Sequence, residues 1–228
     1  MNNVANFKHP EFLVSVDWLL ENLEDPNLRI YDCTAHLIPH PTETYTIGSG
    51  KGDYEKAHIP GADFLDLQQE ISNNASKLRF TFPSAEHFSK AIGAHGPSND
   101  NHAVLYSTTS PQWATRIWWM LRAFGFDNAK VLDGGLIRWV QKGYPTSTIP
   151  STYPEQSFNA KPRPGLIIQK SEVLEGIHES NTCIINALSQ EQHIGVGGRT
   201  YGRPGRIKDS ENVPTTELID PETNEFYP

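Results

Sequence analysis

The feature that most constrains this chain is that its sequence starts twice. Placing residues 168–188, "IQKSEVLEGIHESNTCIINAL", under residues 14–34, "VSVDWLLENLEDPNLRIYDCT", needs no gap. Leu20 then falls on Leu174, Glu21 on Glu175, Asn27 on Asn181 and Ile30 on Ile184, and apolar character agrees at Leu19 and Val173 and at Leu23 and Ile177. A second match, "AHIPGADFL" beside "GRIKDSENV", follows in the same order, with His58 on Arg206. Two matches in one order predict a tandem repeat of one unit. The first match has an offset of 154 (14 to 168) and the second of 148 (58 to 206). On that spacing only the first helix and first two strands of the second copy fall within 228 residues.

Within the first copy, apolar runs alternate with helical patterns. "LRIYD", "ADFLDL", "HAVLYS" and "AKVL" read as strands; "WLLENL", capped by Asp17, "SAEHFSKAIGAHG" and "GLIRWVQKG" read as helices. This alternation predicts an α/β fold with a parallel sheet covered by helices on both faces. "YPTSTIPSTYPEQSFNAKPRPG", with five prolines, reads as a linker. The expected organisation is a complete domain over residues 1–148, a Pro-rich linker over 149–165 and an incomplete second copy over 166–228.

One stretch, "AVLYSTTSPQWATRIWWMLRAFG", has the order strand, loop, helix. Trp113, Ile117, Met120, Leu121 and Phe124 form the apolar stripe of the helix, and Gly125 is its stop. A loop between a strand's carboxyl end and a helix N-terminus aims backbone N–H groups and the positive helix dipole at its occupant, an environment for an anion or a thiolate. This loop is Ser107, Thr108, Thr109, Ser110, Pro111 and Gln112, with no Cys, His, Lys or carboxylate.

Composition narrows the function classes. A formal net charge of −8 argues against nucleic-acid or anionic-membrane partners. No leader pattern opens the chain and no run of about 18 apolar residues occurs, so the expectation is a cytoplasmic protein. Cys33 and Cys183 are the two cysteines, without C-x-x-C spacing, and both read as small buried side chains. His36 and His40 flank Pro39, which speaks against a helical metal pair, and "GSGKGD" lacks the glycine and the hydroxyl of a phosphate loop at Tyr45 and Gly52. No metal or cofactor is expected.

The segments "VSVDWLLENL", "YEKAHIPGADFLDL", "FPSAEHFSKAIGAHG", "VLYSTTSPQWATRIWWMLRAFGF", "VLDGGLIRWVQKGYP" and "YGRPGRIKDSENVPTTELIDPETNEFYP" together resemble the tandem-domain rhodaneses, the thiosulfate and 3-mercaptopyruvate sulfurtransferases. The resemblance implies that a loop thiolate attacks a small anionic sulfur donor, becomes a persulfide and passes the sulfur to cyanide or a thiol. It also implies that the catalytic cysteine belongs to the second domain's loop, with Ser107 marking a degenerate first-domain copy. On this reading the 228-residue chain has no catalytic residue and is inactive alone.

Arg199, Arg203 and Arg206, in a run with no acidic residue, lie where the family carries its substrate-binding arginines. Two family patterns are altered: Asp-Ala-Arg is Asn186, Ala187 and Leu188, and the "HIPG" turn is "RIKD". Asp32, His58, Arg116 and Asp133 read as structural hydrogen-bonding groups, and Trp113, Trp118 and Trp119 as core or interface packing. The alternative function is a non-catalytic rhodanese-like module that binds a partner or an anion. An incomplete second domain would self-associate through its uncovered faces.

Overall fold

A computed structural model describes residues 3–41, 45–197 and 202–228. In chain order the elements are β1 (Leu13–Val14), α1 (Val16–Glu21), β2 (Leu28–Asp32), β3 (Ala35–Pro39), β4 (Tyr45–Ser49), α2 (Lys51–Lys56), β5 (Asp63–Phe64) and α3 (Ala85–Ala94). There follow β6 (His102–Tyr106), α4 (Gln112–Ala123), β7 (Ala129–Leu132), α5 (Gly135–Gln141), α6 (Lys170–Gly176), β8 (Ile185–Asn186), α7 (Gln190–Ile194) and β9 (Glu211–Asn212).

Five strands form one parallel sheet in the order β1-β7-β6-β2-β5. Strand side chains alternate between faces, and the two cores follow that alternation. Tyr31, Ala103, Leu105 and Val131 face the core built with Phe88 and Ile92 of α3 and Ile117, Met120 and Leu121 of α4. Ile30, Val104, Tyr106 and Leu132 face the core built with Val16 and Leu19 of α1, Tyr54 of α2 and Leu136 and Trp139 of α5. This is the α/β architecture expected from the alternation. The α4 stripe is buried as read, and Gly125 takes the left-handed φ of +89° that ends the helix.

The second copy keeps the register that the two sequence offsets imply. Tyr31 pairs with Asp63 and Asp32 with Phe64 in the first unit; Ile185 pairs with Glu211 and Asn186 with Asn212 in the second, also in parallel. Even the turn after the strand recurs. Asp32 Oδ1 accepts from Thr34 N–H and Asn186 Oδ1 from Leu188 N–H, each at 2.9 Å.

Several local expectations are corrected. Ser15, not Asp17, caps α1, its hydroxyl accepting from Trp18 N–H at 3.2 Å; the Asp17 carboxylate instead accepts from Lys142 and Tyr144. Only Asp63 and Phe64 of "ADFLDL" pair as a strand. The antiparallel β3–β4 hairpin was not foreseen. Cys33 is buried but Cys183 is exposed, in the connection just before the short β8; its repeat partner, Arg29, lies inside the five-stranded sheet.

Residues 149–165 lie against the first unit as an extended strap. Tyr153 Oη accepts from Ile30 N–H at 3.0 Å and donates to Gly61 O at 2.7 Å. The amides of Gln156, Lys161 and Arg163 donate to Gly93, Phe124 and Ala123. Phe158 enters the α3–α4 core.

Candidate functional site

In a parallel α/β sheet, ligands collect at the carboxyl ends of the strands. Here that edge presents Asp32 at the end of β2 and Thr34 just beyond it, Ser107 and its loop after β6, and residues 133–135 after β7. Thr34 ties two of these strand ends together. Its hydroxyl donates to Asp32 Oδ1 at 2.5 Å and receives Thr108 N–H at 2.9 Å. Asp32 is fully buried, and burial pushes its carboxyl upward, against the Thr34 hydrogen bonds, which pull it down.

The six loop residues named from sequence do form the strand-to-helix connection. Ser107 is buried, and its hydroxyl donates to Ser110 O at 2.6 Å, so the loop closes on itself. Its carbonyl accepts from Leu136 N–H. A Cβ on Gly135 would stand 2.6 Å from that carbonyl, which, with φ of +55°, explains the second glycine of "DGG". Neither thiol enters this cradle. Burial drives the Cys33 thiol well above its ordinary pKa, and its sulfur points to Tyr31 O at 3.6 Å.

Each ring nitrogen of His58 faces a backbone carbonyl, Tyr54 O at 2.6 Å and Ile149 O at 3.0 Å. Arg116 donates to Phe80 O and lies over the Phe82 ring. Trp118 and Trp119 donate their indole N–H groups to Ala129 O and Leu166 O.

Arg203 and Arg206 are exposed on the loop leading to β9 and form no ion pair or hydrogen bond with the 107–112 loop; Arg199 lies outside the described residues. Thr34 and Asn224 were not foreseen as part of this edge. Asn224 Nδ2 donates to Thr109 O at 2.8 Å, from a position 115 residues away, with no signal in the local sequence. Among the described residues no group of three or more His, Cys, Asp or Glu side chains is placed to hold a metal, and no helix is long and apolar enough to cross a membrane.

A doubly covered parallel sheet with a strand-loop-helix cradle at its carboxyl edge, followed by a second start of the same unit, defines a rhodanese-fold protein. The chain belongs to the rhodanese-like domain family, whose pattern matches residues 15–142. It is 33% identical to thiosulfate/3-mercaptopyruvate sulfurtransferase 2 of Arabidopsis thaliana, over 96% of this chain and 68% of that one. It is 32% identical to 3-mercaptopyruvate sulfurtransferase of Escherichia coli K12, over 91% of this chain and 73% of that one. The crystal structure of SseA from Escherichia coli, described as a 3-mercaptopyruvate sulfotransferase, superposes with a TM-score of 0.78 at 30% identity, covering 95% of this chain and 79% of that chain.

Proposed function

We propose that this protein serves rhodanese-type sulfur transfer, taking a sulfur atom from a small anionic donor such as thiosulfate or 3-mercaptopyruvate and passing it to cyanide or a thiol. Its first-unit loop is a non-catalytic copy of the cradle, and the 228 residues alone do not turn over. One observation carries the last point: the complete cradle holds a buried Ser107 whose hydroxyl is committed to the Ser110 carbonyl. Persulfide chemistry requires a thiolate stabilised by N–H groups or cations, whereas Cys33 is buried with its thiol held neutral and Cys183 is exposed ahead of β8. Arg199, Arg203 and Arg206 are assigned to donor binding, because guanidinium forks suit oxyanions. Support for the class comes from the named sulfurtransferase relatives.

The test is thiocyanate formation from thiosulfate and cyanide, repeated with 3-mercaptopyruvate. No turnover above the uncatalysed rate is expected from the 228-residue chain, alongside weak, salt-sensitive sulfate or thiosulfate binding that falls on Arg203→Glu. Turnover abolished by Cys33→Ser or Cys183→Ser would overturn the assignment. Anion binding indifferent to Arg203→Glu would remove the arginines from the site.

A further inference from the structure

The carboxyl edge of the first unit is occupied by a piece of the second. Residues 219–227 form a tight hairpin: Ile219 bridges Phe226, Asp220 N–H donates to Glu225 O at 2.8 Å, and Asn224 turns the chain with φ of +60°. This hairpin sits on residues 133–135. Phe226 N–H donates to Asp133 Oδ1 at 2.8 Å, Asn224 Nδ2 reaches Gly134 O as well as Thr109 O, and Gln141 Nε2 donates to Glu222 O at 2.6 Å. A Cβ on Gly134 would meet Thr223 O at 3.1 Å, so the approach is close.

The charges at this seam do not balance around Asp133. A cavity of about 250 Å³ is bounded by Asp133, Arg138 of α5, Lys142 just past its end, Asp17 of α1 and Glu225 of the hairpin. Lys142 is held by Asp17 at 2.6 Å and Arg138 by Glu225 at 3.3 Å. Asp220, on the same hairpin, is satisfied by the Glu222 and Thr223 amides. Asp133, 2% exposed, is left with backbone donors and no cation of its own. Seating the hairpin removes water from this carboxylate and brings Glu225 beside it. Both effects favour the neutral acid, against the Phe226 N–H and the Arg138 charge.

We propose that the 219–227 hairpin is a proton-dependent clamp between the two units, seated tightly on residues 133–135 when Asp133 is neutral and loosened when Asp133 is ionised. The Asp133 carboxyl is pushed up to about 6, chiefly by burial, which places the change just below neutral pH. The sign follows from linkage: a group with higher proton affinity in the seated state adds to seating at low pH, and the addition is lost as pH rises through about 6. Because Asn224 also holds Thr109 O, release would free that carbonyl, while Thr108 stays tied to Thr34 and Ser107 to Ser110 and Leu136.

Hydrogen-exchange protection factors of the 228-residue protein at pH 5.0 and 7.5 test this. Protection at the Phe226 amide should rise several-fold at pH 5.0, each pKa unit gained on seating being worth about tenfold. The Cys33 amide, bonded to Tyr106 O in the core, should not follow it. Asp133→Asn keeps an acceptor for Phe226 N–H and should give high, pH-independent protection; Glu225→Gln should shrink the pH dependence if Asp133→Asn fails to fold. Equal protection at both pH values, a change shared by Cys33, or a pH dependence that survives Asp133→Asn and Glu225→Gln would overturn the clamp.

Discussion

His95, the residue that ends α3, fastens three segments with one ring: Nδ1 donates to Asp63 of β5 at 2.7 Å and Nε2 to Glu70 at 3.1 Å, while its carbonyl accepts from Tyr31. Burial alone would lower its pKa, but the two carboxylates outweigh it and raise it to about 9. A His with a folded pKa above its unfolded value contributes stability that is complete below about pH 6.5 and is lost as pH rises through about 9. With the ring mostly buried, that contribution is about 2–3 kcal/mol. Urea denaturation should therefore show a lower midpoint at pH 9.5 than at pH 6.0, and His95→Gln should flatten the difference; parallel losses in both proteins would refute it. Residue roles of this kind were only partly legible. Ser107 announced itself because a polar loop between a strand and a helix is a local pattern, whereas the partners of Asp133 and Thr109 lie some hundred residues away in sequence.

At the scale of elements, the strap is the part that composition disguised. Its four prolines, Pro150, Pro154, Pro162 and Pro164, remove amide donors and break both helical and strand periodicity, so the segment reads as a tether. The first unit nevertheless uses it as a cover: Phe158, 5% exposed, packs against Phe88 and Phe126 where α3 and α4 meet. Gly93 admits the strap because a Cβ there would stand 2.5 Å from Gln156 O. Truncating a buried aromatic costs roughly 3–5 kcal/mol. Phe158→Ala should thus lower the thermal midpoint of the first unit and abolish slow exchange at the Lys161 and Arg163 amides, while Pro162→Ala, on the exposed side, should leave both unchanged. An unaffected midpoint in Phe158→Ala would make the strap dispensable. The β3–β4 hairpin escaped for the opposite reason: "AHLIP" and "YTIGS" are short, half-polar runs, and their pairing as strands became visible only in the register from Ala35↔Ser49 to Pro39↔Tyr45.

At the scale of the whole molecule the two sequence offsets are informative where strands pair, β2 with β5 and β8 with β9 in the same parallel register, while the surroundings of the matched residues differ. The same equivalence measures what the second unit leaves uncovered. Val14 is 5% exposed and its counterpart Ile168 52%; Tyr31 is 1% exposed and its counterpart Ile185 60%. In the first unit β2 is paired on one side by β5 and on the other by β6, with α4 packed behind. Among the described residues β8 is paired by β9 alone, and Leu174, Leu188 and Val213 are exposed around it. An open strand edge beside an apolar face is a template for a further strand. For the 228-residue chain in solution the nearest supply is another copy, and burial of such a face stabilises at about 25 cal/mol per Å². Sedimentation velocity should show concentration-dependent association, and a charge on the face, Ile185→Lys, should shift the population toward monomer without altering the first unit's thermal transition. Ile185 lies on β8, outside the 219–227 hairpin, so the hydrogen bonds that seat this hairpin on residues 133–135 should be unaffected by that change. A wild-type chain that stays monomeric at high concentration, with slow exchange at the Glu211 and Val213 amides, would show that the half-covered sheet is stable by itself.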